Sequence, residues 1–227
     1  MAIRLRLNKT ERILFCGSKW WGDPDMPENM QYPTMTVEED GEKYEYPLTF
    51  ICQINCEDIA KFDPEGKLPH EGMLYFFGAI DELLGYESPT PTCIGEWPKG
   101  NFVVKYAKSI NFETFQSCML TDDEGQALTD PELEICFEEC EDDAPGIKML
   151  GYKNDLVNLL QINEDDTAGF RCENWKSLNV LYKESDLKFG NWKKAMTILC
   201  EEPLNEINFH RKRPSLRLRS STSCTEL

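Results

Sequence analysis

The stretch Met73-Leu-Tyr-Phe-Phe-Gly-Ala-Ile80 decides the fold class, because it carries the strongest strand signal in the chain. It is a short apolar run, rich in aromatic residues and flanked by turn-forming segments, as expected of a buried strand. Similar runs predict further strands over residues 1–10, 48–55, 101–107, 112–119, 155–163, 178–182 and 195–200. A brief helix is predicted over 56–62. The chain is therefore predicted to be mainly β (α+β), with a few short helices.

Two of these runs share a sequence. Ile51-Cys-Gln-Ile-Asn55 and Leu159-Leu-Gln-Ile-Asn163 match in register, and each is followed by an acidic turn and a second strand. This repeated order predicts two similar antiparallel β halves, about 1–120 and 148–203, packed around one core. Gln53 and Gln161 then occupy equivalent positions in the two halves. Because a buried glutamine must be hydrogen-bonded, each either braces a loop in its own half or lines a cleft between the halves.

Asp130-Pro131-Glu132 has the composition of a helix start, with Asp as the N-cap and Pro in the first helical position. Leu133, Cys136 and Cys140 continue with helical spacing, so we predict a helix here, although alternating apolar residues from Leu133 also fit a strand. On a helix the two cysteines share one face, as half of a metal site or as part of an apolar core stripe. Their apolar neighbours favour the core stripe.

The segment from Trp20 to Pro33 is dense in proline and glycine, which predicts an irregular loop pinned by its aromatic residues. Trp20 and Trp21 either form a platform for a ligand beside Asp23 or anchor the loop to the core. Further on, Asp40-Gly41 predicts a hairpin turn between Val37 and Tyr46.

An ordered series of motifs resembles the YwqG-like family. The series is Trp21-Gly-Asp-Pro24, Pro47-Leu-Thr-Phe-Ile-Cys-Gln-Ile-Asn55, Leu68-Pro69 and Gly72-Met-Leu-Tyr-Phe-Phe77, then Met149-Leu-Gly-Tyr152, Leu159-Leu-Gln-Ile-Asn-Glu-Asp165, Trp175, Asp186-Leu187 and Phe189. The resemblance covers about residues 13–201, and it implies a mainly β fold with a few helices. The family has no defined biochemical role, and toxin–immunity gene neighbourhoods of some bacterial relatives suggest protein binding.

Composition limits the partners. The chain has 227 residues, 41% of them hydrophobic, and a formal net charge of −17, which fits one globular domain over about 1–205. Such an acidic body repels nucleic acid and anionic membranes, so we expect neither as a partner. The first ten residues alternate apolar and basic groups and lack the apolar run of a secretory signal. We therefore expect a cytoplasmic protein.

The ten cysteines include no Cys-x-x-Cys pair, and several, such as Cys52 and Cys200, lie inside apolar runs. We interpret most of them as small buried hydrophobic residues in a reducing compartment, with a disulfide scaffold as the alternative. His70 and His210 are the only histidines, and neither lies in a pattern typical of a triad or a metal site. We expect no catalytic residues, no metal and no cofactor.

Residues 206–227 are predicted to form a disordered basic tail. Thr225 and Leu227 suit strand addition into a PDZ groove, or the tail is solvated and pairs loosely with the acidic body. The predicted function is non-catalytic binding of another protein, through the acidic domain surface or this tail. The alternative is an enzyme or small-ligand binder with a site in the cleft between the halves. The candidate binding residues are Trp20, Trp21, Asp23, Gln53, Gln161, Thr225 and Leu227.

Overall fold

The computed structural model describes residues 1–80, 95–153, 156–168 and 177–200. Strands account for far more of these residues than helices do, which confirms the prediction of a mainly β protein. The strands of the described chain are, in order, β1 Ala2–Lys9, β2 Lys19–Trp20, β3 Asp25–Pro27, β4 Thr34–Glu39, β5 Glu42–Pro47, β6 Thr49–Asn55, β7 Met73–Gly78, β8 Gly95–Glu96, β9 Phe102–Ala107, β10 Phe115–Ser117, β11 Leu133–Cys140, β12 Lys148–Met149, β13 Gly151–Lys153, β14 Leu156–Asn163, β15 Ser177–Lys183 and β16 Met196–Cys200.

Helices are short. Helix α1, Cys56–Ile59, begins where the side chain of Asn55 accepts a hydrogen bond from the Glu57 backbone N–H, and a 3-10 turn, Ala60–Phe62, extends it. These elements confirm the brief helix predicted over 56–62. Helix α2, Glu184–Lys188, follows β15, and a second 3-10 turn, Trp192–Lys194, precedes β16. Within the described ranges, no helix has the length and apolarity needed to cross a membrane.

One antiparallel sheet dominates the fold. It has twelve strands, in the order β8-β16-β15-β14-β12-β1-β11-β2-β6-β7-β9, with β13 also pairing with β14. Two small sheets pair β3 with β10 and β4 with β5. The large sheet curls, so that its two ends approach each other. Tyr106 of β9 therefore packs against Trp192, just before β16, with ring centroids 5.4 Å apart.

The strands are arranged in a similar order on the two sides of the central pair of the large sheet. The central pair is β1 and β11, joined from Ala2↔Cys140 to Lys9↔Leu133. Beyond β1 lie the two-residue strand β12 and then β14, β15 and β16, whereas beyond β11 lie the two-residue strand β2 and then β6, β7 and β9. The register also shifts at one place in each flank, between Phe50 and Cys52 of β6 and between Asn158 and Leu160 of β14.

Strand β7 is buried on both faces, as its sequence predicts. Leu74 and Phe76 join the larger core cluster, which draws residues from most strands of the large sheet. Tyr75 and Phe77 point to the opposite face and join a second cluster with Phe50. Since each such side chain stabilises the fold by about 1.5–3 kcal/mol when fully buried, β6 and β7 contribute strongly to the core.

The helix predicted from Asp130 onward is wrong, because Leu133–Cys140 is strand β11. Its backbone pairs with β1 along all eight residues, and its first two residues also pair with β2. Leu133 and Ile135 are buried while Cys136 is exposed, so the strand alternation that the sequence also contained is the one that is realised. Pairing on both sides overrides the local helix-start signal.

The structure confirms one predicted turn and revises one predicted loop and one predicted strand. The hairpin turn at Asp40-Gly41 is confirmed, with φ of 52° and 83° at the two residues joining β4 to β5. The loop predicted over 20–33 contains part of β2 and all of β3, and the strand predicted over 112–119 is reduced to β10. Residues 201–227, and with them the predicted tail, lie outside the described residues.

Candidate functional site

A buried lysine organises the region where most of the predicted site residues meet. Lys19 lies in β2, opposite Gln53 of β6 on one side and Glu134 of β11 on the other, and it is 3% exposed. Its ammonium nitrogen lies 2.9 Å from Asp25 Oδ2 and 3.3 Å from Glu132 Oε2. The buried ammonium is therefore paired with the fully buried Asp25 carboxylate and also contacts the partly exposed Glu132, as a buried charge requires.

Asp25 is fully buried and its carboxylate is saturated with donors. Besides Lys19, Oδ2 accepts hydrogen bonds from the Cys16 backbone N–H and from Gln53 Nε2, both at 2.8 Å, and Oδ1 accepts one from Ser117 Oγ at 2.6 Å. Three donors thus meet Oδ2 and one meets Oδ1, and neither oxygen is accessible to solvent. The arrangement fits a structural role better than proton transfer.

Gln53 ties together the loop that leads into β3. Its Oε1 accepts a hydrogen bond from the Asp25 backbone N–H at 2.8 Å, and its Nε2 also donates to the carbonyl of Gly17 at 2.9 Å. Below it, Tyr75 donates from its hydroxyl to the Asp25 carbonyl at 2.7 Å, and burial raises the pKa of that hydroxyl. The side chain of Gln53 thus joins β6 to the loop between Gly17 and Asp25.

The two tryptophans differ in exposure. Trp20 is completely buried in the larger core cluster, and its ring meets Trp21 edge to face at 5.7 Å. Trp21 is half-buried at φ 57°, a strained value for a bulky residue, and its indole N–H donates to the Ala168 carbonyl at 2.7 Å. The cavity beside Trp21 and Gly22 measures about 20 Å³, which is room for about one water molecule.

Asp23 lies at the rim of this network. It is half-buried and accepts a hydrogen bond from the Thr129 hydroxyl at 3.3 Å. Burial raises the pKa of its carboxyl, while the Thr129 hydrogen bond and Lys19 act in the opposite direction. The structure therefore brings Trp20, Trp21, Asp23 and Gln53 together around one loop.

Gln161 lies in a separate network on the other flank of the sheet. Its Nε2 donates to Asn163 Oδ1 at 2.7 Å and to the Gly146 carbonyl at 3.3 Å. Four strands separate β14 from β6, which corresponds to about 24 Å along the sheet at about 4.8 Å per strand. Gln53 and Gln161 therefore share no hydrogen-bond partner, and the structure does not bring them to one site.

A second buried lysine accompanies Gln161. Lys148 of β12 lies opposite Gln161, is 2% exposed and donates to the backbone carbonyls of Asp142 and Ala144. Burial lowers the pKa of this lysine. Its hydrogen bonds go to neutral carbonyls, whereas the ammonium of Lys19 meets two carboxylates.

An exposed pair of aromatic residues was not predicted from the sequence. Phe15 and Phe112 are 37% and 68% exposed, and their ring centroids lie 6.2 Å apart. Ile13, in the same loop as Phe15, is 90% exposed. We name these three residues the aromatic patch. No pattern in the sequence predicted that Ile13 and Phe15 are exposed, because an apolar residue in a sequence carries no mark of which side of the chain faces solvent.

The cysteines of the described chain are all free thiols. Cys16, Cys52, Cys56 and Cys200 are buried, which fits the predicted role of small core residues, and burial raises the pKa of Cys16 to about 11. Cys136 and Cys140 point to the same face of β11, but four residues of strand separate them by about 13 Å, too far to share a metal ion. Cys93, Cys172 and Cys224 lie outside the described residues.

Of the two histidines, only His70 lies in the described part of the chain. His70 is exposed, and its Nε2 lies 3.0 Å from the carbonyl oxygen of Asp63. A search over the described residues finds no cluster of three or more histidine, cysteine or acidic side chains arranged to hold a metal ion. Thr225 and Leu227, the two candidate residues of the tail, lie outside the described residues.

Comparison with known proteins places this region within a family. The model of a family described as Domain of unknown function (DUF1963) matches residues 18–148, more than half of the chain. The matched segment includes Lys19, Asp25, Gln53 and Glu132, the residues of the buried network. A search of curated proteins finds no significant match. The chain belongs to the DUF1963 family.

Proposed function

We propose that the protein is a non-catalytic domain that binds another protein through the aromatic patch. The observation that carries this proposal is the contact between Phe15 and Phe112 at the surface, beside the highly exposed Ile13. Single exposed apolar residues are ordinary, but an aromatic pair in mutual contact has the character of an interface core.

The charges around the patch define the partner. Three exposed glutamates lie close to the patch: Glu11, Glu28 and Glu113. Glu11 and Glu113 are near patch residues in the chain. The backbone N–H of Glu28 donates a hydrogen bond to the carbonyl of Thr114, in the loop that holds Phe112. The only guanidinium of the neighbouring loop, on Arg12, is paired with Glu134 at 2.7 Å. A partner with an apolar centre and a basic rim would complement this surface, and the net charge of −17 would speed its association.

The buried network supports the same proposal. Lys19, Asp25 and Gln53 satisfy one another, and the network holds β2, β3 and β6 at fixed positions. The loop from Ile13 to Cys16 ends in this network, because the Cys16 N–H bonds to Asp25. We propose that the network is a scaffold that fixes one side of the aromatic patch.

The test is capture of partners from a lysate of the native organism by the full chain. The Phe15→Ala/Phe112→Ala variant should lose the partner, since central aromatic residues contribute about 2 kcal/mol each, or about 30-fold in affinity. Phe189→Ala is the matched control, because Phe189 is 78% exposed but lies elsewhere, after α2. A partner retained equally by all three proteins would contradict the proposal, as would substrate turnover by the wild-type protein.

We also propose that the chain is a YwqG-like member of its family and that it arose by internal duplication. The similar strand order on both flanks of the sheet supports duplication, as do the register shifts at matching places in β6 and β14. The side chains support it too: Gln53 donates to Gly17 and Gln161 to Gly146, and each glycine stands two residues before a buried lysine. We propose that the second half begins with β11, earlier than residue 148, because β11 occupies the place equivalent to β1.

Two further proposals concern location and the tail. The free thiols of the described residues are compatible with a reducing, cytoplasmic location. A chain ending at Asn208, included in the same capture experiment, tests whether Thr225 and Leu227 contribute a second contact. Loss of the partner on this truncation alone would move the binding site from the domain to the tail.

A second function, binding of a small ligand between the two ends of the sheet, is proposed on a separate observation. A cavity of about 280 Å³ lies between β9 and β16. Its strands β9 and β16 each lie two strands away from Gln53 of β6 and Gln161 of β14, respectively, and neither glutamine lines it, so this site differs from the cleft that the sequence predicted.

A further inference from the structure

The cavity between the sheet ends, which we name the seam cavity, has aromatic walls. It is lined by Trp97, Phe102 and Trp192 together with Met196, and two lysines, Lys99 and Lys193, lie at its edge. Its volume of about 280 Å³ is just below the usual range for small-molecule sites, which suits a ligand of one or two rings.

The lysines give this cavity a positive charge balance within an acidic protein. In a chain with 41 acidic and 24 basic residues, the seam cavity is lined by two lysines and one carboxylate, Glu96. Lys99 and Lys193 are exposed, and neither forms an ion pair with another described residue. This local excess of positive charge favours an anionic ligand.

The wall also holds a polar group that lacks a partner. Trp97 is 3% exposed, and its indole N–H has no acceptor among the described residues. Buried donors in folded proteins are almost always hydrogen-bonded, so the packing beside this cavity leaves one polar group unsatisfied.

We propose that the seam cavity binds a small aromatic acid. Its ring packs against Trp97 and Trp192, and its carboxylate lies near Lys99 and Lys193. This inference rests on the second proposed function, ligand binding between the sheet ends, and it adds the chemical class of the ligand. Aromatic rings favour stacked or edge-to-face contacts with tryptophan, and exposed ammonium groups orient a carboxylate while leaving it partly hydrated.

The experiment follows the indole N–H signals of the full-length protein by NMR during titration with two matched probes. The probes are 2-naphthoate, an aromatic acid, and 2-naphthylmethanol, its neutral counterpart. The chain has five tryptophans, so Trp97→Phe and Trp192→Phe variants assign the two relevant signals. We expect 2-naphthoate to shift both signals with a Kd on the order of 1 mM or below, and to bind about five-fold more tightly than the alcohol.

Charge variants complete the design. Lys99→Ala/Lys193→Ala should weaken 2-naphthoate about five-fold and leave the alcohol unchanged, whereas Lys43→Ala, on exposed strand β5, should change neither. Equal affinity for both probes would overturn the aromatic-acid inference and retain the cavity as a ligand site. If neither probe shifts the signals of Trp97 and Trp192, both the inference and the second proposed function fail.

Discussion

Replacing Lys19 by Met should destabilise the protein far more than an ordinary surface substitution. The change removes the cation that contacts the fully buried Asp25 carboxylate and leaves it with donors only from Cys16, Gln53 and Ser117. Removing one partner of a buried ion pair lowers the free energy of unfolding by about 3–5 kcal/mol. Because three donors to Asp25 remain, we expect a loss at the lower end of this range, about 3 kcal/mol. For a chain of this length, that loss lowers Tm by about 6–12 °C.

Lys148→Met is the matched control for this prediction. Lys148 is equally buried, but its ammonium meets the carbonyls of Asp142 and Ala144 in a half-buried loop, where water can replace it. Its loss should cost no more than about 1.5 kcal/mol. The free energies of unfolding of both variants are measured by urea denaturation at neutral pH. Adding Asp25→Asn to Lys19→Met should recover about 1–2 kcal/mol, because it removes the unpaired charge. Equal losses for the two lysine variants, or no recovery, would refute this reasoning.

Three further predictions follow from glycine geometry and from the thiols. Gly72→Ala should lower the free energy of unfolding, measured by urea denaturation, by at least about 2 kcal/mol more than Gly41→Ala does. Both glycines have φ of 83°. An added Cβ at Gly72 would lie 2.1 Å from a carbonyl oxygen of β9, whereas one at Gly41 would meet open space. Burial raises the pKa of Cys56 from 9.0 to about 12, so its contribution to stability is complete below pH 9 and is lost as the pH rises toward 12. Cys56→Ala should therefore flatten the fall in unfolding free energy between about pH 9 and 11. In the native protein, iodoacetamide should label exposed Cys136 well before fully buried Cys52, as read by mass spectrometry; simultaneous labelling would contradict the burial described.

The sequence predicted the strands best where both faces are buried. The run at Met73–Gly78 leaves no alternative to an interior strand, and the Asp40-Gly41 turn is fixed by local backbone chemistry. The segment from Asp130 was misassigned, since its helix-start signal is local, whereas β11 is held by pairing with β1, more than 120 residues away in the chain. Such long-range pairing leaves no trace in a short window of sequence.

The candidate site was only partly predictable, for a similar reason. Gln53 was singled out because a glutamine inside an apolar run needs partners, and the structure supplies them. Lys19 and Asp25 gave no such signal, because charged residues in a loop look solvated until the fold encloses them. Phe15 and Phe112 are 97 positions apart in the chain, and only the fold brings their rings together.

Site-specific photo-crosslinking tests the central claim, that the aromatic patch binds another protein, most directly. A benzophenone amino acid replaces Phe112 in one version of the full chain and Phe189 in another, and each is irradiated in a lysate of the native organism. Both positions are exposed, at 68% and 78%, so the reagent itself is equally accessible. We predict one discrete crosslinked protein at position 112 that is absent at position 189 and is reduced by Phe15→Ala. The same adducts at both positions, or none at position 112, would contradict the account.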